Sequence, residues 1–343
     1  MRRTLLLVSG TVMAALLCLL VLLAVSGIPG NKKNGFNRQW LNITVRKHLS
    51  YELPFAAERL FGSGAHLYLS EPSHRQVYRL DSHLRVSDTI KLHVGKPLKP
   101  PVNFFADGNH LYIHEYNSAT MFFADWHAAT FNALRLSEGP FLKSLQLSDS
   151  LVVIRGFEPG SFKPVFMQIN TRSGDRRHSD LLSEKADAGF STDGILCSNA
   201  GRDRLLYIPY FENGIYCMDS NLSLRYQQHT IDTVFNSGIE VASQGDGDVQ
   251  KLYATAPRVK VNKRAFADDR LLFIESDLRA DNEDATTFRQ QPVLDAYRIE
   301  DGSYAGSLHL PLDKRKVLSY YLHNGVLYVL LKDQLLSFSL ALP

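Results

Sequence analysis

One pattern constrains this chain more than any other. A pair of short apolar runs recurs six times along it, each pair bounded by Asp, Asn, Gly or Ser. The copies begin at Leu67-Tyr68-Leu69, Leu111-Tyr112-Ile113, Val152-Val153-Ile154, Leu206-Tyr207-Ile208, Leu272-Phe273-Ile274 and Leu327-Tyr328-Val329. A second run follows each, as in Val77-Tyr78-Arg79-Leu80-Asp81 and Ile215-Tyr216-Cys217-Met218-Asp219. The central residues Tyr68, Tyr112, Val153, Tyr207, Phe273 and Tyr328 are separated by steps of 44, 41, 54, 66 and 55 residues. The shorter steps match one four-stranded blade, about 40–50 residues. The longer ones require insertions, for which the polar stretches 245–248 and 280–284 are suited. Each run has the length of a short strand. Continuous apolar runs, rather than strict alternation, suit strands covered on both faces. The expected fold is therefore all-β, a six-bladed β-propeller over residues 40–343, with a β-sandwich as the competing architecture.

The degenerate Leu-Tyr-Ile and Tyr-Arg-Leu-Asp strands resemble the broad six-bladed propeller families of the NHL and TolB type, over roughly residues 40–340. The resemblance implies a fold and no particular activity.

A different kind of segment precedes the repeats. Leu5 to Val25 is almost purely apolar, behind Arg2 and Arg3 and with no further charge until Lys32. About 20 helical residues span a bilayer core of about 30 Å, and the two arginines favour a cytoplasmic start. Residues 1–27 thus read as a signal anchor or transmembrane helix, and 28–39 as a linker. A cleaved signal peptide is the other reading, because Ala24-Val25-Ser26 offers small residues to a signal peptidase. The expected location is the cytoplasmic membrane, single-pass, with the bulk extracytoplasmic (periplasmic in a bacterium), or secreted if the segment is cleaved. The sixth repeat leaves room for only three strands before Pro343, so Leu41–His48 is expected to pair beside Leu335–Leu340 and complete the ring.

Net charge is only +3, with no basic run interleaved with aromatics, which argues against a nucleic-acid partner. Of the three cysteines, Cys18 lies in the apolar segment. Cys197 and Cys217 fall on the first and third strands of blade four. One strand between them sets them almost 10 Å apart, beyond disulfide reach.

Propeller sites commonly lie at one channel mouth, on the loops leading into each innermost strand. Those positions are Glu58-Arg59, Asn103, Lys143-Ser144, Asp187, Asn262-Lys263-Arg264 and Ser319-Tyr320. Arg59, Asn103, Lys143 and Arg264 are the ligand-binding candidates, and their charge suits an anionic or carboxylate ligand. Glu58, Asn103, Asp187 and Asn262 could instead offer oxygens to a hard cation, as in lactonase-type propellers. His110 and His114 share one strand face but lack a third ligand nearby. No nucleophile elbow, P-loop or dinucleotide fingerprint occurs, and no catalytic residue, metal or cofactor is expected. The leading expectation is a membrane-tethered, non-catalytic binding or scaffold module for a protein, peptide or small anionic ligand. The rival is a metal-dependent hydrolase or lyase of the lactonase type. A redox-linked subunit of a membrane enzyme is a third.

Overall fold

The computed structural model describes residues 2–25, 33–64, 66–126, 128, 130–158, 163–182, 189–239, 241–244, 251–254, 258–312 and 316–340. Helix α1 (Arg2–Val25) comes first, followed by strand β1 (Val45–Glu52). Blade one is β2 (Arg59–Ser63), β3 (His66–Ser70), β4 (Gln76–Leu80) and β5 (Val86–Lys91). Blade two is β6 (Val102–Asp107), β7 (His110–Glu115), β8 (Thr120–Asp125) and β9 (Asn132–Arg135). Blade three is β10 (Lys143–Gln146), β11 (Leu151–Phe157), β12 (Pro164–Asn170) and β13 (Arg176–Ser179). Blade four is β14 (Gly194–Ser198), β15 (Arg204–Pro209), β16 (Gly214–Asp219) and β17 (Leu224–His229). A separate hairpin, β18 (Val241–Gln244) with β19 (Lys251–Ala254), lies between blades four and five. Blade five is β20 (Asn262–Ala267), β21 (Leu271–Ser276), β22 (Val293–Arg298) and β23 (Tyr304–His309), with helix α2 (Ala285–Gln290) inserted after β21. Blade six joins β24 (Ser319–His323), β25 (Val326–Leu330) and β26 (Gln334–Leu340) to β1.

The apolar runs are the second and third strands of the blades, as their sequence pattern predicts. Strands β7, β11, β15 and β21 are buried almost throughout, whereas outer strands such as β5, β9 and β13 are largely exposed. Six hydrophobic clusters fill the six interfaces between neighbouring blades. Phe61 and Tyr68 meet Phe104 and Ile113 between blades one and two. Phe273 and Leu294 meet Val329 and Phe338 between blades five and six. Leu330 and Leu335 of blade six meet Leu60 and Leu69 of blade one. Each fully buried Leu or Phe contributes about 1.5–3 kcal/mol, so stability is spread around the ring. At the junction of blades six and one, Gly62 admits the Tyr321 ring: a Cβ there would lie 2.4 Å from the tyrosine Cζ.

The ring closes as the missing fourth strand suggests, but with a different span. β1 pairs antiparallel with β26 from Val45↔Leu340 to Glu52↔Gln334. The strand therefore runs 45–52 rather than 41–48, and a bulge falls between Lys47 and Leu49. Residues 39–41 join blade five instead: Leu41 N donates to Ser307 O at 2.8 Å, and Ser307 N to Gln39 O at 2.8 Å. They lack a free ladder in blade six because β26 is already matched by the eight residues that follow.

The part of the 28–39 segment that is described is packed on the propeller. Asn34 and Gly35 donate main-chain hydrogen bonds to Asp281, and Arg38 N donates to Asn282 Oδ1 at 3.0 Å. The Arg38 guanidinium is buried. It meets Asp295 at 2.8 Å and Glu283 at 2.6 Å, and donates to Leu278 O at 3.0 Å. Burial opposes its charge, and the two carboxylates outweigh that, holding its pKa above the ordinary arginine value. Beside it, Trp40 stacks on His309 with ring centroids 4.5 Å apart.

Helix α1 is 24 residues long, and its described side chains, Val8 to Leu22, are all exposed. Among the described residues no helix is long and apolar enough to cross a membrane. Cys197 and Cys217 are free, each opposite Leu206 on the strand between them.

Candidate functional site

The innermost strands β2, β6, β10, β14, β20 and β24 begin at one end of the ring. Arg59, Lys143, Asn262 and Ser319 are the first residues of β2, β10, β20 and β24 and Asn103 the second of β6, as expected from the sequence, whereas β14 begins at Gly194 rather than beside Asp187. A cleft of about 760 Å³ opens there, lined by parts of blades four, five, six and one. That is within the usual range for a small-molecule site, about 300–1,000 Å³.

Arg59 and Arg264 both line the cleft. Arg59 Nη1 donates to Asn103 Oδ1 at 2.5 Å, which ties blade one to blade two. Lys143 stands on the neighbouring arc of the mouth. Its Nζ is 3.1 Å from Asp193 and 5.2 Å from the centre of the Tyr210 ring. Lys260 approaches the same ring at 4.6 Å. Its pKa is lowered by partial burial and by Arg264 and Lys263 close by. Asp187 lies outside the described residues.

Six cationic side chains, Arg59, Lys260, Lys263, Arg264, Arg289 and Lys316, line the cleft against three carboxylates, Glu58, Glu275 and Asp277. Every one of those carboxylates is engaged. Glu58 meets His74 at 2.8 Å, Lys263 meets Asp277 at 2.7 Å and Arg264 meets Glu275 at 3.0 Å. The half-buried Tyr320 hydroxyl also donates to Glu275 at 3.0 Å, and its pKa is driven well up by desolvation and by that carboxylate. Arg59, Lys260, Arg289 and Lys316 make no ion pair among the described residues. Cations without a carboxylate partner around a concave surface attract anions.

Lys260, Arg289 and Lys316 carry no sequence signal that the repeats could expose. Lys260 and Lys316 sit in connections between blades. Arg289 is on α2, six residues long, which is too short to show a helical period. The Asp284 cap, accepting from Thr287 N, is the one local cue.

The hard-cation arrangement is poorly served by this geometry. The Arg59 guanidinium occupies the Asn103 oxygen. The Asn262 side-chain NH2 donates to Pro209 O at 2.8 Å and to Glu212 O at 3.2 Å, which fixes how its oxygen is presented. A divalent ion beside Arg59 would meet a like charge at close range. Among the described residues no three His, Cys, Asp or Glu side chains group as metal ligands. His110 pairs with Asp125 at 3.0 Å. His114 is buried, with its two ring nitrogens 2.9 Å from Ser144 Oγ and 2.9 Å from Gln146 Oε1. Both histidines are thereby accounted for structurally.

No family model matches the chain, and no curated protein does. Solved structures do resemble it. A member of the DUF4221 family from Bacteroides vulgatus aligns with a TM-score of 0.53 at 13% identity, covering 90% of this chain and 99% of that one. Streptogramin B lyase gives 0.47 at 10% identity, covering 89% and 100%. BamB from Moraxella catarrhalis gives 0.41 at 11% identity, covering 86% and 98%. At such identities the likeness shows the fold alone. The chain is a six-bladed β-propeller.

Proposed function

We propose that this protein is a membrane-tethered, extracytoplasmic propeller that acts as a non-catalytic binding module and takes a small anionic ligand in the mouth cleft. One observation carries the ligand reading: six cations face three carboxylates in the cleft, Glu275 and Asp277 are taken up by Arg264 and Lys263 and Glu58 by His74, and four cations hold no ion pair among the described residues. Support for the tether comes from the uncharged Leu5–Val25 run behind Arg2 and Arg3. The sequence carries no nucleophile elbow, phosphate-cradling loop or dinucleotide fingerprint, which supports binding over chemistry.

The tether is tested by fractionation. The full chain is expected in the membrane fraction after an alkaline wash, and a chain lacking Thr4–Gly27 in the soluble fraction. Recovery of both in the soluble fraction would remove the tether. The ligand reading is tested by thermal unfolding in sodium citrate against sodium chloride of equal ionic strength. Citrate should raise the midpoint, as a ligand that binds only the folded state must. Equal midpoints would count against it.

A further inference from the structure

The four cations without an ion pair are not clustered. Arg59 begins the innermost strand of blade one. Lys260 leans over Tyr210, which follows β15 of blade four. Each blade packs on the next around a ring of six, so blades one and four stand opposite each other. Arg289 extends from α2 on blade five, and Lys316 from the connection between blades five and six. One cleft thus collects positive charge from blade one, from the connection between blades four and five, and from the arc between them.

The spacing of charge bears on the ligand. An anion with one charged group can sit against one side of the cleft and leaves the cations opposite unneutralised. A ligand with charged groups at both ends can engage both sides at once. The second contact then forms without a further loss of translational freedom. Aromatic and apolar lining from Tyr210, Phe288, Val293 and Val317 leaves room for a carbon framework between the charges.

We infer that the cleft selects small multivalent anions, polycarboxylates or phosphate compounds with at least two negative charges, bridged between Arg59 of blade one and Lys260 at the entry to blade five and capped by Arg289 and Lys316. This rests on the anion-binding reading above and narrows it to a charge number and a span. Arg264 and Lys263 are excluded from the set because Glu275 and Asp277 already neutralise them.

The test is isothermal titration of the full chain in detergent, at fixed ionic strength, with citrate, pyrophosphate, acetate and glycerol. Citrate or pyrophosphate should bind at least about ten-fold more tightly than acetate, and glycerol should not titrate. Preference between citrate and pyrophosphate separates carboxylate from phosphate recognition. Lys260→Gln and Arg289→Gln, which break no ion pair, should each weaken the preferred anion by about ten-fold, with the thermal midpoint of the free protein unchanged. Binding should also weaken as salt rises. Acetate binding as tightly as citrate would overturn the multivalent inference and leave the anion site standing. Failure of every anion to titrate would overturn both. Multivalent binding that Lys260→Gln/Arg289→Gln leaves intact would place the site elsewhere and overturn the inference.

Discussion

Arg38→Met isolates what the N-terminal strap contributes. The substitution keeps much of the side-chain volume and removes one buried cation from between two buried carboxylates. Breaking such a pair from one side costs about 3–5 kcal/mol, because the partner charges stay buried and unpaired. Some relief remains. Asp295 still accepts from Ser307 Oγ at 2.5 Å, and Glu283 from Ala280 N at 3.1 Å. These contacts argue for the lower half of that range. The pH dependence is diagnostic. Burial already holds the Glu283 pKa above the usual carboxylate value against the pull of Arg38, and removing Arg38 raises it further. A carboxyl whose folded pKa lies above its unfolded value binds more protons when folded, so stability recovers as pH falls. His309, 3.3 Å from Glu283, acts in the same direction. Its pKa is lowered by burial and then by Arg38, so losing Arg38 lets it charge more readily. Guanidinium unfolding, followed by circular dichroism and by the fluorescence of Trp40 and Trp126, should show a deficit that is largest near neutral pH and shrinks toward pH 5. A deficit under about 1 kcal/mol, or one that does not change with pH, would refute the electrostatic account.

Two further outcomes follow from the packing. In His114, burial pushes the imidazole pKa down to about 3 against the opposing hydrogen bond to Gln146. Its folded state therefore binds fewer protons than the unfolded chain. This contribution to stability is complete above about pH 6.5 and is lost as pH falls toward about 3. His114→Gln should flatten that part of the pH–stability curve, and a curve unchanged in slope would dissociate His114 from acid unfolding. Gly194→Ala brings a Cβ to 2.4 Å from the Ile208 carbonyl oxygen and 2.9 Å from Pro209 Cα. Main-chain atoms cannot rotate away, so a loss of about 1–3 kcal/mol is expected in chemical denaturation, and a neutral substitution would mean that β14 and β15 can separate locally.

How much of this could be read from the residues depends on where each one's partners lie. The second and third strands of every blade were legible because both faces are covered and the apolar run is unbroken, as in Leu206-Tyr207-Ile208. Outer strands such as β9 and β13 are short, charged and exposed, so they look like loops. The mouth positions Arg59, Asn103, Lys143 and Arg264 were reachable by counting back from those runs to the start of the preceding strand. Arg38 was not reachable. It sits among Asn, Gly and Lys in a stretch that looks like a linker, and Asp295 is 257 residues away. Its burial follows from tertiary contacts that leave no periodic trace. The closing strand was anticipated from a missing partner and from the alternation of residues 43–48; the partner was right, and the span was displaced because the strand runs on to Glu52.

The closure by β1 has a consequence for the order of assembly. Leu49 N donates to Ser337 Oγ across 288 residues, so the first strand made is held by nearly the last. Blades one to five can each complete their sheets as the chain lengthens, because all four strands of each are consecutive. Blade six cannot. Until β26 has been made, β1 has no ladder to join, and the apolar faces of Leu330 and Leu335 have no finished sheet to bring to Leu60 and Leu69. Ring closure is then the late, non-local step that chain topology makes slow. A chain cut short even by the few residues of β26 would forfeit the junction at both ends of the ring.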